Sequence, residues 1–94
     1  MTDTVRETRA TTVLVRYFAG ARAAAGVAEE RVVLTDGDTT VANALAAALA
    51  RRGPELDRVL PSCSFLLNGV AVHDHGIFIP DGGELDILPP FAGG

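Results

Sequence analysis

The sequence contains no lysine and only one cysteine, Cys63. Without lysine the chain offers no side-chain ε-amine as an isopeptide acceptor, so it cannot be polymerised through its own lysines. A single cysteine excludes an internal disulfide. Residues 1–12 are polar and charged where a signal peptide would need an apolar segment. These features favour a cytoplasmic protein.

Long apolar runs and basic clusters are also missing. The most apolar stretch, residues 41–50, is about half of the roughly 20 residues that a membrane-spanning helix requires, and Asn43 interrupts it. We therefore expect no membrane segment. The formal net charge is −4, so we expect no nucleic-acid partner either. A chain of 94 residues with 48% apolar content supports one small core but not a deep substrate pocket as well.

One helix is indicated by apolar residues that recur at three- and four-residue spacing. These residues are Val41, Ala44, Leu45, Ala48 and Leu49. Thr39 or Thr40 suits the N-cap, residues 51–52 are arginines that suit the negative helix end, and Gly53 followed by Pro54 ends the helix. The spacing therefore predicts the main helix from about residue 41 to residue 52.

Short β-branched, aromatic or alternating segments predict the strands, at residues 13–18, 30–35, 64–67, 70–73 and 84–88. Asn68-Gly69 predicts a type I′ hairpin turn, because both central positions of that turn need positive φ. Residues 19–25 predict a short helix, and residues 56–60 one further helical turn. We expect a flexible leader at residues 1–11 and one α+β domain at 12–94, a mixed sheet of four to five strands packed on one main helix.

The last six residues, 89–94, form a tail with a specific composition. Pro89 and Pro90 stop the final strand and stiffen its exit, while Gly93 and Gly94 can thread a narrow channel in another protein. The chemically useful group is the Gly94 carboxylate. A carboxylate is a poor electrophile, so such a tail implies a separate enzyme that converts it with ATP to an acyl-adenylate and then to a thioester or thiocarboxylate. The alternative is an ordinary frayed chain end.

Several short motifs match a known family along residues 12–94. They are Val15-Arg16-Tyr17-Phe18-Ala19 with Arg22 and Gly26, Thr40-Val41-Ala42 with Leu45, Val72 after Asn68-Gly69, and Asp81-Gly82-Gly83-Glu84 leading to Leu88-Pro89-Pro90-Phe91-Ala92-Gly93-Gly94. With these motifs the chain resembles the MoaD/ThiS-type family of ubiquitin-like β-grasp sulfur carriers, most closely the small subunits of molybdopterin synthase. Two positions depart from the family pattern: Phe91 stands where many members have valine, and Gly83 where an acidic residue is frequent.

The resemblance implies a ubiquitin-like β-grasp fold and a carrier mechanism. An E1-like adenylyltransferase would activate Gly94, a sulfurtransferase would supply sulfur to give a thiocarboxylate, and the large synthase subunit would accept the tail. The sulfur would then pass to a cyclic pterin precursor of molybdopterin. The resemblance assigns partner binding to Pro89, Pro90, Phe91, Ala92 and Gly93. It implies no cofactor on the carrier itself, since the activating enzyme would bind ATP.

Two alternatives to molybdopterin synthesis stay open from the sequence. In the first, the sulfur acceptor belongs to cysteine, thiamine-thiazole or secondary-metabolite synthesis. In a different class of function, Gly94 would form amides with lysines of other proteins, as in a ubiquitin-like protein modifier.

Other chemically active residues do not form a recognisable site in the sequence. Cys63 has no neighbouring group that clearly lowers its pKa. His73 and His75 supply two imidazoles, whereas zinc sites need three or four ligands. The remaining candidates are carboxylates next to glycine in turn signals, namely Asp36, Asp38, Asp81 and Glu84. We therefore predict no metal site and no catalytic carboxylate pair.

Overall fold

A computed structural model describes residues 10–35, 37 and 39–90. In this part of the chain five strands form one mixed sheet. The strands are β1 (Ala10–Tyr17), β2 (Glu29–Thr35), β3 (Ser64–Leu67), β4 (Val70–Ala71) and β5 (Glu84–Leu88). The helices are α1 (Ala19–Ala25), α2 (Val41–Arg52) and α3 (Pro54–Val59), followed by a 3₁₀ turn at Leu60–Ser62. The predicted α+β class is confirmed, and α1 and α3 add two short helices to the main helix α2.

The last strand lies in the middle of the sheet, whose strand order is β2-β1-β5-β3-β4. Strand β5 pairs with β1 in parallel and with β3 antiparallel. The pairs β1–β2 and β3–β4 are both antiparallel. The chain that leads from β2 back to the sheet contains α2, as is usual where strands of one sheet must be joined over a distance.

The hydrophobic core lies between the sheet and the helices. Alternate residues of β1 and β5 point into it, and among them Val13, Val15, Leu85 and Ile87 are all 0% exposed. Helix α2 contributes the face that its spacing predicted, including Val41, Ala44, Leu45 and Ala48. The other face of β1 and β5 therefore points away from the helices.

The predicted N-cap of α2 is confirmed, and the loop that precedes β5 provides further hydrogen-bond acceptors for the start of this helix. The Thr40 side chain accepts a hydrogen bond from the Asn43 N–H at 3.2 Å. Val41 N–H donates to the carbonyl of Ile77 at 3.1 Å, and Ala42 N–H donates to that of His75 at 2.9 Å. The segment 75–77 thus satisfies donors of the first helical turn, which have no partner within the helix.

Several element boundaries differ from the sequence prediction, and two of the differences have a clear cause. Strand β1 begins at Ala10, because Ala10 pairs with Thr35 of β2, whereas we predicted the strand from residue 13. The rest of the predicted leader, residues 1–9, lies outside the described residues. Strand β4 ends at Ala71 instead of His73, since the chain then turns towards the start of α2.

Gly53 ends α2 with a φ of 89°, and Pro54 begins α3 at once. This confirms the predicted helix stop and shows that the same proline starts the next helix, where its missing N–H has no bond to lose. None of the helices in the described ranges is long and apolar enough to cross a membrane.

Candidate functional site

Strand β5 delivers the tail from the centre of the sheet. It is followed directly by Pro89, which is half-buried, and by Pro90, which is exposed. Proline has no backbone N–H, so the ladder of hydrogen bonds cannot continue through these two residues. The other predicted tail residues, Phe91, Ala92, Gly93 and Gly94, lie outside the described residues, and their roles stay predictions.

Both ends of β5 are fixed by hydrogen bonds. At its start, Asn68 N–H donates to the Glu84 carbonyl at 2.8 Å, and the Glu84 N–H donates to Asn68 Oδ1 at 2.9 Å. At its end, Phe18 N–H donates to the Ile87 carbonyl at 3.1 Å. With Leu85 and Ile87 fully buried as well, the point at which the tail leaves the sheet is held in one place.

The turn that anchors the start of β5 has the predicted geometry. Asn68 has a φ of 50° and Gly69 a φ of 83°, so both central positions are left-handed as a type I′ turn requires. Asn68 therefore has two functions: it makes the hairpin turn possible, and its side chain holds the first residue of β5.

Gly83, which departs from the family pattern, lies directly before β5 in a tight environment. A Cβ at this position would lie 2.6 Å from Cγ2 of Ile79 and 3.0 Å from the carbonyl oxygen of Pro80. Real Cβ atoms almost never come so close to a neighbour, so an acidic side chain here would displace Ile79 or the backbone. This packing accounts for glycine at the position.

A cluster of charges lies next to the tail strand on the sheet face that points away from the helices. Arg16 of β1 donates to Asp86 of β5 through Nε at 2.7 Å and through Nη2 at 3.0 Å. Its Nη2 is also 3.5 Å from Glu84 Oε1, and its guanidinium lies 5.8 Å from the ring centroid of Phe18. Asp86 is only 7% exposed. The hydrogen bonds that Arg16 donates to Asp86, and the negative charge of that carboxylate, raise the pKa of Arg16 above its ordinary value.

This cluster was missed by the sequence reasoning. Arg16 and Asp86 are 70 positions apart, and they meet only because β1 and β5 pair in parallel in the register that aligns them. The available signal was a charged residue in each of two strands that contribute to the core, Arg16 in β1 and Asp86 in β5. It shows that something must compensate the charge, but not which residue does so.

A second charged network joins the sheet to the end of α2. Glu30 of β2 accepts hydrogen bonds from the Tyr17 hydroxyl and from Arg52, and it forms an ion pair with Arg51 at 2.9 Å. Burial alone would raise the pKa of Glu30, but the hydrogen bonds from Arg52 and Tyr17 and the charges of both arginines outweigh it, so the pKa is lowered. Burial, together with the hydrogen bond to Glu30, raises the pKa of Tyr17. This network orients the helix and contacts no part of the described tail.

The remaining candidates from the sequence surround a groove of about 690 Å³ between α2 and the β3–β4 hairpin, which is lined by Cys63, His73 and His75 among others. The Cys63 thiol donates to the Val59 carbonyl at 3.4 Å, and burial raises its pKa, which disfavours the reactive thiolate. The His75 ring packs edge-on against Phe65. Among the residues that the structure describes, no group of three or more His, Cys, Asp or Glu side chains could hold a metal ion.

The two turn carboxylates that the structure describes, Asp81 and Glu84, have different partners. Asp81 accepts the Thr12 N–H of β1 at 2.8 Å, a long-range contact between residues 69 positions apart, whereas its place in a turn suggested a local backbone bond. Glu84 is the first residue of β5 and belongs to the cluster with Arg16. Asp36 and Asp38 lie outside the described residues.

Comparison with known proteins gives a consistent result. The sequence profile of the ThiS family matches residues 15–94. A molybdopterin synthase sulfur carrier subunit from Chlamydomonas reinhardtii is 39% identical over 83 residues, which are 87% of this chain and 98% of that protein.

Solved structures show the same fold. The small archaeal modifier protein 1 of Haloferax volcanii is 33% identical with a TM-score of 0.77, over 88% of this chain and 99% of that one. A complex of subunits 1 and 2 of molybdopterin-converting factor from Helicobacter pylori is similar with a TM-score of 0.62 and 25% identity, over 89% of this chain and 100% of that one. The chain therefore belongs to the ThiS family and is a sulfur carrier of the MoaD/ThiS type with a ubiquitin-like β-grasp fold.

Proposed function

We propose that this carrier donates sulfur from a thiocarboxylate on Gly94 to a pterin precursor in molybdopterin synthesis. The observation that carries the proposal is the position of β5. It is the central strand of the sheet, it is anchored at both ends, and it stops at two prolines only four residues before Gly94. The 39% identity to a molybdopterin synthase sulfur carrier subunit favours this acceptor.

The proposed chemistry begins with activation of the tail. The Gly94 carboxylate attacks the α-phosphate of ATP, pyrophosphate leaves, and a mixed anhydride with AMP forms. Sulfur at the oxidation level of sulfide then attacks the acyl carbon, AMP leaves, and the thiocarboxylate remains. The activating enzyme binds ATP in this scheme, and the carrier needs no cofactor of its own.

The carrier contributes position instead of acid or base catalysis. Leu85 and Ile87 are fully buried and hold β5 in the core, so the tail leaves the sheet at a defined position. Glycines at 93 and 94 have no side chains that would obstruct entry into a partner's narrow channel. The rigid origin reduces the conformational freedom that is lost when a partner binds the tail.

The proposal requires three protein partners. An E1-like adenylyltransferase activates Gly94, a sulfurtransferase delivers sulfur, and the large subunit of molybdopterin synthase receives the tail in a heteromeric complex. The complex of the two Helicobacter pylori subunits supports the last of these partners. We place the reactions in the cytoplasm, where ATP is available to the activating enzyme.

Intact mass spectrometry tests the chemistry. We expect that incubation with the E1-like enzyme of the same organism, ATP and a sulfide source replaces one oxygen by sulfur. A variant without Gly93 and Gly94 is the matched control and should keep its mass. If the truncated variant still restored molybdoenzyme activity in a strain that lacks the native carrier, the tail mechanism would be wrong.

A second candidate function is favoured by one of the structural comparisons. The likeness to the small archaeal modifier protein 1 favours a modifier, in which Gly94 forms amide bonds with lysines of other proteins. Carrier and modifier share the adenylate, but only the modifier produces amide-linked conjugates. An affinity-tagged chain recovered from cells under denaturing conditions should carry no such conjugates if sulfur transfer is its function. Sulfur delivery to cysteine, thiamine-thiazole or a secondary metabolite is distinguished by the acceptor that the purified thiocarboxylate converts.

A further inference from the structure

The sheet face opposite to the helices offers a surface that is continuous with the tail. We call it the outer sheet face and define it by residues of β1, β5 and β3 on the side away from the helices, which are Leu14, Arg16, Leu66, Glu84, Asp86 and Leu88. Cross-strand pairing places Arg16, Asp86 and Leu66 in one row, and Leu14 and Glu84 in the next. The three leucines are half-buried. The surface is therefore an apolar patch with a charged centre.

The charges at the centre are held in fixed positions. The two hydrogen bonds from Arg16 to Asp86 form a bidentate pair, which fixes the guanidinium plane, and the ring of Phe18 supports the same group. One arginine and two carboxylates leave the cluster with a formal charge of −1. Asp86 is 7% exposed and engaged by Arg16, whereas the Glu84 side chain is 49% exposed. Glu84 is thus the carboxylate that a partner can reach.

We propose that this cluster selects the large subunit that receives the tail, through a basic side chain of that subunit placed opposite Glu84. The inference rests on the proposed function, because a partner that holds residues 89–94 must lie beside the strand from which they leave. A protein pressed against this face removes water from Glu84 and Arg16. Only a partner with a complementary charge compensates Glu84, while an acidic or purely apolar partner is disfavoured.

Reversing the exposed charge tests the proposal. We expect Glu84→Arg to weaken binding of the large subunit by at least about tenfold, because two basic groups would then face each other. Glu55→Arg makes the same charge change on α3, where the Glu55 side chain is 70% exposed, and should leave binding unchanged. Titration calorimetry with the purified large subunit gives both dissociation constants, and thiocarboxylation by the activating enzyme is followed in parallel by mass.

A charge swap separates recognition from folding. The double variant Arg16→Asp with Asp86→Arg keeps an ion pair on the same two strands but moves the positive charge. We expect its unfolding midpoint to recover relative to either single variant, while binding of the large subunit stays weaker than for the unaltered carrier. Recovery of binding together with stability would mean that the pair acts only in folding, which would overturn its role in selection.

The remaining outcomes also decide the question. An unchanged dissociation constant for Glu84→Arg overturns the proposal, and so does a loss of thiocarboxylation with binding of the large subunit intact, because the face would then serve the activating enzyme. If the unaltered carrier is never thiocarboxylated, the proposed function fails. The comparison of Glu84→Arg with Glu55→Arg still reports on docking in that case.

Discussion

Replacing Glu30 by glutamine should destabilise the protein far more than the same change at its neighbour Glu29. Glu30 pairs across the sheet with Val15, on the side that faces the helices, and its side chain is 6% exposed. Its carboxylate lies between Arg51 and Arg52, with the Tyr17 hydroxyl donating to it. Glutamine keeps the shape of the side chain but leaves two arginines without their counter-charge.

The expected magnitude follows from the exposure of the partners. Removing one partner of a fully buried ion pair destabilises a protein by about 3–5 kcal/mol. The Arg51 side chain is 51% exposed and that of Arg52 is 22% exposed, so water compensates part of the loss. We therefore expect Glu30→Gln to lower the free energy of unfolding by about 2–3 kcal/mol. In a domain of this size that corresponds to a midpoint roughly 10–20 °C lower.

The contribution of the Glu30 charge to the free energy of unfolding depends on pH, which distinguishes it from a packing effect. The pKa of Glu30 is lowered in the folded state, so its charge contributes fully above the unfolded pKa of about 4.3. That contribution is lost as the pH falls through the lower folded pKa. The stability difference between the unaltered protein and Glu30→Gln should therefore be complete at neutral pH and disappear in acid.

Urea denaturation of both variants, at neutral and acidic pH, measures these quantities. Glu29 is exposed, so Glu29→Gln should change the free energy of unfolding by less than about 0.5 kcal/mol. Equal stability of the two variants at neutral pH would refute the argument that Glu30 joins α2 to the sheet. A difference that persisted undiminished in acid would refute the assignment of the effect to charge.

Three further predictions follow from the structure. Gly83→Ala should lower the free energy of unfolding by about 1–3 kcal/mol through its contact with Ile79, whereas Gly20→Ala, which meets nothing within 4 Å, should be neutral or stabilising by up to about 1 kcal/mol. Loss of the α2 cap in Thr40→Ala should destabilise by about 1 kcal/mol in the same urea assay. Iodoacetamide should alkylate Cys63 at neutral pH more slowly in the folded protein than in urea, because burial raises the pKa of the thiol, and equal rates would contradict this cause.

The features predicted from sequence are those that depend on neighbours along the chain. Helix α2 was predicted from the spacing of its apolar residues and its end at Gly53. The hairpin turn was predicted because few pairs other than Asn68-Gly69 accept positive φ twice. In both cases the structure depends on residues that are close to one another in the sequence, so it can be predicted from the sequence alone.

Long-range pairing could not be predicted in the same way. The pattern identified β5 as a strand, but its central position depends on pairing with β1 and β3 at the same time. The contact of Arg16 with Asp86 follows from that register, and the contact of Glu30 with Arg52 follows from how α2 packs on the sheet. The start of β1 at Ala10 was also set by its partner, because β2 extends to Thr35.

The central claim is that sulfur is carried on the carboxyl group of Gly94. After incubation with the activating enzyme, ATP and isotopically labelled sulfide, cleavage before Asp86 releases the peptide 86–94, which excludes Cys63. The account predicts that this peptide exchanges one oxygen for labelled sulfur. Recovery of this peptide with both carboxyl oxygens and no labelled sulfur would contradict it.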